Sequence, residues 1–199
     1  MKKKIWAYIA LTIALAQVVL VLTSWLVTAA MPEIFDRSLL SPEGIRWFFG
    51  QFQENLASPL LVWLLLVSIA WGVLRRSGLG EFDASEYRQR IAMRLVVAEL
   101  MIFLFVIMAL TLVPHAILLN VMGGLIPSSF SSCIVPYVCF AVAFMSVSFG
   151  TMSGKLKGLE DIFEALTAGI GNMSHLFFLY VLVTQLFYSF MYVISSLRA

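Results

Sequence analysis

Residues 57–74 read ASPLLVWLLLVSIAWGVL and contain no charged side chain. A helix needs about 20 apolar residues to cross the hydrocarbon core of a bilayer. A transmembrane β-strand would instead alternate in polarity at every second residue, which this stretch does not do. Because lipid offers the backbone no hydrogen-bond partner, the stretch predicts a membrane-spanning helix.

Similar apolar runs fill most of the chain. The predicted spans are residues 5–31, 57–74, 95–113, 133–152 and 173–197. With 61% hydrophobic and 12% charged residues, the 199-residue chain lacks the polar surface of a soluble domain. We therefore expect an all-α fold: a polytopic membrane helix bundle of about five transmembrane helices and two amphipathic helices. No linker divides the chain, so residues 1–199 are predicted to form a single integral membrane domain.

The positive residues are unevenly distributed over the predicted loops. Three of the thirteen fall on one side of the membrane: Arg37, Arg46 and Arg198. The other ten fall on the side of the N-terminus: Lys2, Lys3, Lys4, Arg75, Arg76, Arg88, Arg90, Arg94, Lys155 and Lys157. Positive loops stay in the cytoplasm, so we expect a multi-pass protein of the bacterial inner membrane with its N-terminus inside. The basic residues then reflect topology, and no nucleic-acid partner is expected.

The first run begins after three lysines, as the hydrophobic region of a cleaved signal peptide does. Its apolar stretch is much longer than the roughly 7 to 15 residues of such a region. We therefore expect residues 5–31 to be kept as a helix.

Two segments outside the spans have amphipathic patterns. The first begins at Ser41-Pro42-Glu43, which supplies an N-cap, a proline and an acid in the first turn. Its apolar residues recur at helical spacing: Ile45, Phe48, Phe49, Phe52 and Leu56. This helix is expected in the outer interface or leading into the second span, either as an anchor or with a lid or binding role. The second segment, residues 159–170, separates its apolar side from three acids: Glu160, Asp161 and Glu164.

Two separated blocks resemble the aminobenzoyl-glutamate transporter (AbgT) family. The first is SPEGIRW at residues 41–47, followed by Asn55, PL at 59–60, GV at 72–73 and SGL at 77–79. It is similar to the SxEGLRW, Pro-Leu-Gly and GVAExSGL segments of that family. The second joins PSSFSSCIVP at 127–136, FG at 149–150, SGKLK at 153–157 and EDI at 160–162. It resembles the SPFMSGIV…YGIGAGTIKNDKDV segment, and Gln185 matches the Gln of an AAQF stretch. The positions that carry the resemblance are Ser41, Gly44, Arg46, Trp47, Asn55, Pro59, Gly72, Ser77, Gly78, Gly150, Lys157 and Gln185.

The chain also departs from the family pattern. Where the family has Asn-Trp-Ser-Asn after the Gln, this chain has MYVI at residues 191–194. Almost nothing stands between Leu79 and Glu86, where family members carry a hairpin and further spans. The sequence also stops before the second hairpin and the final core of the family. The resemblance implies that these elements bind ion and substrate, so the chain looks like a shortened form that keeps the framework for subunit pairing.

Few polar side chains in the spans are candidates for chemistry. Glu99 is an acid inside a predicted helix, which is a functional hypothesis by default. The alternatives are a structural role, in which Glu99 pairs with Arg94 or Arg88 or reaches the membrane interface, and a role in proton or substrate coupling. Gln185 is predicted to form a hydrogen bond between helices, with substrate binding as the alternative.

No sequence pattern indicates a catalytic or metal site. A nucleophile elbow, a phosphate loop and metal-ligand spacings are absent from the sequence. His115 and His175 fall on opposite sides of the predicted membrane, so they cannot share a metal ion. We expect no enzyme activity, no catalytic residue and no cofactor.

The expected function combines the resemblance with this lack of polar residues. We expect an AbgT-like inner-membrane protein, a transporter-derived scaffold without autonomous transport, that forms a homo-oligomer in the lipid bilayer. The alternative is a small or split secondary transporter for solutes of the p-aminobenzoyl-glutamate type. It would work as an oligomer or with a partner chain in the membrane, with Glu99 and Gln185 lining its site.

The charge distribution predicts on which side of the membrane the C-terminus lies. Because five spans are an odd number, the C-terminus should lie outside. A C-terminal reporter that is active only in the cytoplasm should be silent, whereas a reporter that is active only outside should give full signal. A strong cytoplasmic signal from the C-terminal fusion would show that the predicted topology is wrong.

Overall fold

The computed structural model describes residues 2–112 and 129–195. These residues form α-helices and one short 3-10 helix, without a strand among them, which confirms the all-α prediction. In chain order the elements are α1 (Lys2–Ala30), α2 (Pro42–Gly50), α3 (Phe52–Leu56), α4 (Pro59–Ser77), the 3-10 helix (Leu79–Glu81), α5 (Tyr87–Leu112), α6 (Ser129–Ser153), α7 (Leu159–Asn172) and α8 (Ser174–Ile194). His115, Arg198 and most of the predicted loop between the third and fourth spans lie outside the described residues.

Five of these helices are long and apolar enough to cross a membrane, which agrees with the predicted number of spans. They are Lys4–Ala30, Pro59–Glu81, Tyr87–Thr111, Cys133–Ser153 and Ser174–Ile194. The largest difference concerns the third span, because its helix begins at Tyr87 rather than near residue 95. Arginine is a good helix former, so the basic segment before the apolar run continues the helix beyond it.

The chain divides into two compact units. The first, unit 1, comprises Met1–Leu61 and Ser174–Ala199, and the second, unit 2, comprises Val62–Met173. The prediction of a single membrane domain stays a prediction. Each unit has its own interior.

In unit 1 the first and last helices run parallel. The rings of Trp6 and His175, near the N-terminal ends of α1 and α8, have centroids 4.5 Å apart. Further along both helices, the Nε2 of Gln17 donates a hydrogen bond of 3.0 Å to the Oγ of Ser189. His175 therefore lies at the same end of unit 1 as the lysine-rich N-terminus.

The segment α2–α3 runs along α8. Trp47 stacks on Tyr192 with ring centroids 4.4 Å apart, and the Tyr180 hydroxyl donates a 2.8 Å hydrogen bond to the carbonyl of Leu56. These two contacts on α8 are twelve residues apart, a rise of about 18 Å. A helix lying flat in the interface would meet α8 at one level, so the segment leads towards α4 instead.

The predicted apolar face of α2–α3 points away from α8. Phe49 is 74% exposed and Ile45 is 46% exposed, whereas Gly44 and Asn55 are buried. An exposed phenylalanine is unfavourable in water and favourable against lipid. The amphipathic pattern therefore marks the exposed surface of the segment, while Gly44, Trp47 and Asn55 lie on the face that packs inside unit 1.

In unit 2 the main helix pair is α5 with α6. Its buried cluster consists of Ala92, Val96, Ala141, Met145 and Phe149. Small and large side chains alternate across the contact, as close helix packing requires. Beyond this cluster the Phe103 ring packs edge-on against three aromatic rings of α6, those of Tyr137, Phe140 and Phe144.

The second packing contact of unit 2 joins α4 to α7. A Cβ atom added to Gly169 would overlap the carbonyl oxygen of Ser68, and one added to Gly72 would overlap the backbone of Gly169. Glycine at both positions thus lets the two backbones touch, as small residues do in membrane helix pairs. Of the predicted apolar side of α7, Ile162 and Leu166 pack inside unit 2. Leu159 and Phe163 are exposed, at 85% and 69%.

This close approach generates a stability prediction. Replacing Gly169 by Ala should destabilise the protein by about 1–3 kcal/mol, because the new methyl group collides with the α4 backbone. Gly171→Ala is the matched control on the same helix, because no atom lies within 4 Å of its added Cβ. It should be neutral or stabilising by about 0.5–1 kcal/mol through helix propensity. Thermal unfolding of the purified variants in mild detergent measures both effects, and equal melting temperatures would contradict the contact.

Candidate functional site

Residues 41–60 of the first resembling block lie in and beside the α2–α3 segment of unit 1. The Ser41 Oγ accepts a 3.0 Å hydrogen bond from the amide of Gly44 and caps α2. A Cβ at Gly44 would overlap the carbonyl oxygen of Ser38, so this position needs glycine. Trp47 packs on α8, while the Arg46 side chain is exposed. These residues thus position the helix, and the two charged side chains among them, Glu43 and Arg46, are exposed.

The helix is interrupted between α3 and α4, and α8 supplies the polar groups at the interruption. The hydroxyl of Tyr180 lies 2.7 Å from the Oγ of Ser58 and donates to the Leu56 carbonyl. Asn55, at the end of α3, is 6% exposed and its Nδ2 has no hydrogen-bond partner in the described structure. Pro59 then begins α4. The interruption therefore gathers hydroxyl, carbonyl and amide groups inside unit 1.

The family-motif positions of unit 2 shape the turns at the ends of α4 and α6. The Oγ of buried Ser77 donates to the carbonyl of Leu74, and Gly78 follows with a φ of 71°. A Cβ at Gly150 would run into the side chain of Leu156, whose amide donates a 2.9 Å hydrogen bond to the Gly150 carbonyl.

Lys157 acts in this turn through its backbone. Its amide donates a 2.8 Å hydrogen bond to the Oδ2 of Asp161, and its side chain is exposed. These residues of the second block therefore form the turn that leads into α7.

Unit 1 has an unusually polar interior. Of the described residues, those with a buried side-chain nitrogen or oxygen that lacks a partner are mostly in this unit: Gln17, Thr28, Asn55 and Gln185, against Glu99 and Ser146 in unit 2. Both amide atoms of Gln185 are among these groups, although the residue is only 6% exposed. A buried polar group without a hydrogen bond costs about 1–3 kcal/mol.

The hydrogen bond between spans that the sequence predicted for Gln185 is made by other residues. It joins Gln17 to Ser189, and Ser189 is fully buried. Ser189 follows Gln185 by one helical turn, so both lie on one face of α8. This spacing of four residues was the signal in the sequence that could have identified Ser189. Gln17 lies thirteen residues from each end of the span Lys4–Ala30, at its middle.

Glu99 lies in unit 2, in the middle of α5, and forms no ion pair among the described residues. Arg94 and Arg88, which the sequence suggested as possible partners, are therefore not paired with it. In the described part of the chain the ion pairs are Arg76 with Glu164 and Lys155 with Glu81. The Oε2 of Glu99 is buried without a hydrogen bond, although the residue as a whole is half-buried. Glu99 and Gln185 belong to different units.

The Arg76–Glu164 pair joins the charged ends of α4 and α7. The Nη2 of Arg76 donates a 2.8 Å hydrogen bond to the Oε1 of Glu164. This guanidinium holds the pKa of the Glu164 carboxyl below its usual value. Any stabilisation from the pair is thus present above the ordinary carboxyl pKa and is lost as the pH falls through the lowered pKa. Both side chains are largely exposed, so water and salt screen the interaction.

The larger grooves on both units are lined by apolar side chains. In unit 1 a groove of about 540 Å³ runs between α1 and α8, beside residues such as Leu20, Val183 and Phe187. In unit 2 a groove of about 310 Å³ is bounded by α4, α6 and α7, with Ile69 and Phe140 among its lining residues. Such grooves suit acyl chains or the side chains of another helix, whereas a charged solute would lose its hydration there.

The described residues contain no group of three His, Cys, Asp or Glu side chains that could hold a metal ion. Comparisons of the chain with protein-family models, with curated proteins and with solved structures find no match. The site is therefore defined by its own geometry: an interrupted helix and buried amides in unit 1, and an unpaired acid in unit 2.

Proposed function

We propose that this chain is an AbgT-like protein of the inner membrane that supplies a helical framework to an assembly and does not concentrate a solute by itself. The supporting observation is the structural role of the residues that carry the resemblance. Gly44, Gly72 and Gly150 sit where a side chain would collide with a neighbouring backbone or side chain, and Ser77 and Gly78 form a turn. The motif residues thus build turns and helix contacts within the chain, which supports a role as a framework.

The outer surface of the helices supports association in the bilayer. The most apolar part of α1 contains no buried residue, although α1 is a full-length span. Within unit 1 it packs on α8 and leaves large side chains such as Leu22, Trp25 and Leu26 exposed. Van der Waals contact between shape-matched helices drives association in lipid. The proposed partner is a second copy of the chain, with a different membrane chain as the alternative.

The oligomer proposal predicts a mass above that of the 22.2 kDa monomer. Purified protein in several mild detergents should give a mass of at least two chains by mass photometry or light scattering. Replacing Leu22 and Leu26 by Ala should shift the distribution towards the monomer if α1 forms the contact. A monomer in every detergent would contradict the proposal.

A second function is favoured by one specific observation, the interrupted helix of unit 1. Secondary transporters hold solutes and ions at helix interruptions, where backbone and polar side chains are exposed inside the protein. Here the interruption at Ala57–Ser58 lies beside Tyr180, in the unit that also buries the unpartnered amides of Asn55 and Gln185. The second proposal is therefore a small or split carrier for solutes of the p-aminobenzoyl-glutamate type.

Flux measurements in liposomes separate the two functions. We expect no accumulation of p-aminobenzoyl-glutamate by the purified protein under a sodium or a proton gradient, because a framework has no moving element that exposes a site to each side in turn. Glu99→Gln and Gln185→Leu should then change stability or assembly while the flux stays at the background of empty liposomes.

The carrier function would give a different result. Accumulation driven by either ion gradient, abolished by Gln185→Leu, would overturn the framework proposal. Gln53→Leu is the matched control, since it is the same substitution at an exposed side chain of α3 in the same unit. Its flux should equal that of the unaltered protein under either function.

A further inference from the structure

A groove in unit 2 lies where α4 ends and the 3-10 helix follows. Its volume is about 240 Å³, and its lining residues are Trp71, Leu74, Arg75, Gly78, Gly80 and Glu81. Unlike the two larger grooves, it has charged side chains in its wall next to apolar ones. It therefore suits a molecule that has both a charged part and an apolar part.

The groove stands at the end of the apolar run of α4. Residues 57–74 contain no charged side chain, and Arg75 follows directly. Tryptophan is enriched at the boundary between lipid and water, and Trp71 lies about one helical turn before Arg75. Trp71 is 41% exposed, and Val67, a further turn back on the same face of the helix, is 42% exposed. An apolar surface thus leads along the predicted span to the charged end of the groove.

Arg75 has a guanidinium group that is available for an anion. In the described ranges 2–112 and 129–195 no carboxylate lies within 4.0 Å of it, whereas its neighbour Arg76 is paired with Glu164. The guanidinium of Arg75 lies 5.0 Å from the centroid of the Trp71 ring instead. Contact with the face of a ring leaves the N–H donors of a guanidinium for another partner. These donors form a planar fork that fits two oxygens of a phosphate group.

Lys155 brings a second cation to the groove from the turn after α6. A Cβ atom added to Gly78 would overlap the Lys155 ammonium, so this group lies directly against a lining residue. The ammonium is 4.0 Å from the carboxylate of Glu81, whose side chain is 87% exposed, so water screens this pair. Two cations and one acid therefore give the groove a net positive charge.

We propose that this groove binds an anionic phospholipid with a hydroxyl-bearing headgroup, of the phosphatidylglycerol type. The phosphodiester accepts hydrogen bonds from Arg75 and Lys155, and one acyl chain lies along Trp71 and Val67. The exposed carboxylate of Glu81 accepts a hydrogen bond from a hydroxyl of the headgroup. Basic pockets at the membrane boundary bind anionic headgroups in this way. The inference goes beyond the framework role, because lipid binding requires neither the association of chains nor solute flux.

Native mass spectrometry of the purified full-length protein in mild detergent tests the site. The probes are phosphatidylglycerol, phosphatidylethanolamine and phosphatidylcholine with identical acyl chains. The first phosphatidylglycerol should bind at least about fivefold more tightly than either of the other lipids. The physical reason is that each basic residue in excess of the acids strengthens the attraction to an anionic lipid by about fivefold.

Substitutions separate a defined groove from the general positive charge at this end of unit 2. Arg75→Gln and Lys155→Gln should each weaken the binding of phosphatidylglycerol by about fivefold. Lys157→Gln is the matched control, because it removes the same charge at an exposed side chain whose described contact is made by the backbone amide. This control should leave the affinity unchanged. An equal loss for Lys157→Gln would show diffuse attraction and would overturn the groove as a site.

Labelling of the unaltered protein decides the site even where a variant fails to fold. In liposomes, a phosphatidylglycerol with a photoreactive diazirine near the start of one acyl chain should label residues 67–75, as located by peptide mapping. Labelling confined to other helices, or equal affinity for either zwitterionic lipid, would contradict the proposal. Displacement of the lipid by millimolar inorganic phosphate would also overturn it and would indicate a site for a soluble anion. The mass of the protein in detergent, measured separately, tests the framework role.

Discussion

The bilayer requires each backbone amide and carbonyl to find its partner within the protein, and the rest of the structure depends on this requirement. It makes the apolar runs helical, since a helix satisfies its own backbone groups. Where a helix is interrupted, side chains must replace the missing bonds, and Tyr180 does so at the carbonyl of Leu56. Where two helices meet without a hydrophobic driving force, close backbone contact holds them, as at Gly72 and Gly169.

The sequence predicts the spans because lipid imposes one simple rule of length and polarity on each of them. The number of long helices agreed, and most ends lay within a few residues of the prediction. The α5 helix was the exception, because arginine favours helix and the apolar run alone defined the predicted boundary. At Gly78 and Gly154 the structure has a positive φ, which favours a residue without a Cβ.

Tertiary relations were harder to predict. The amphipathic pattern of α2–α3 is the same whether a helix lies on a membrane or runs down beside another helix, so the sequence could not choose between them. Gln17 and Gln185 were visible as polar residues in spans, but their partners depend on which faces of α1 and α8 meet. For Glu99 a basic partner was one alternative that proximity in sequence suggested. The five residues that separate it from Arg94 place the two side chains on different faces of α5.

Among the described residues, buried polar side-chain atoms without a hydrogen bond are concentrated in unit 1, where their burial is unfavourable. Unit 1 buries amides of Gln17, Asn55 and Gln185, while the turns and helix contacts of unit 2 use glycine, serine and alanine. Natural proteins depart from the low-energy choice mainly where function or a strained element requires it. Glycines and helix caps determine how helices turn and pack, so the positions that carry the resemblance concern the fold rather than a ligand site.

The length of α1 makes its packing depend on the thickness of the membrane. Its apolar span of 27 residues, Lys4–Ala30, is about 40 Å long as a straight helix, whereas the hydrocarbon core is about 30 Å thick. Such hydrophobic mismatch is relieved by tilting the helix or thickening the surrounding lipid, at a fraction of a kcal/mol for each Å. Because α8 fixes α1 through Trp6 and Gln17, a tilt of α1 must be shared by its neighbour. A change in bilayer thickness therefore changes the geometry of the polar interior of unit 1.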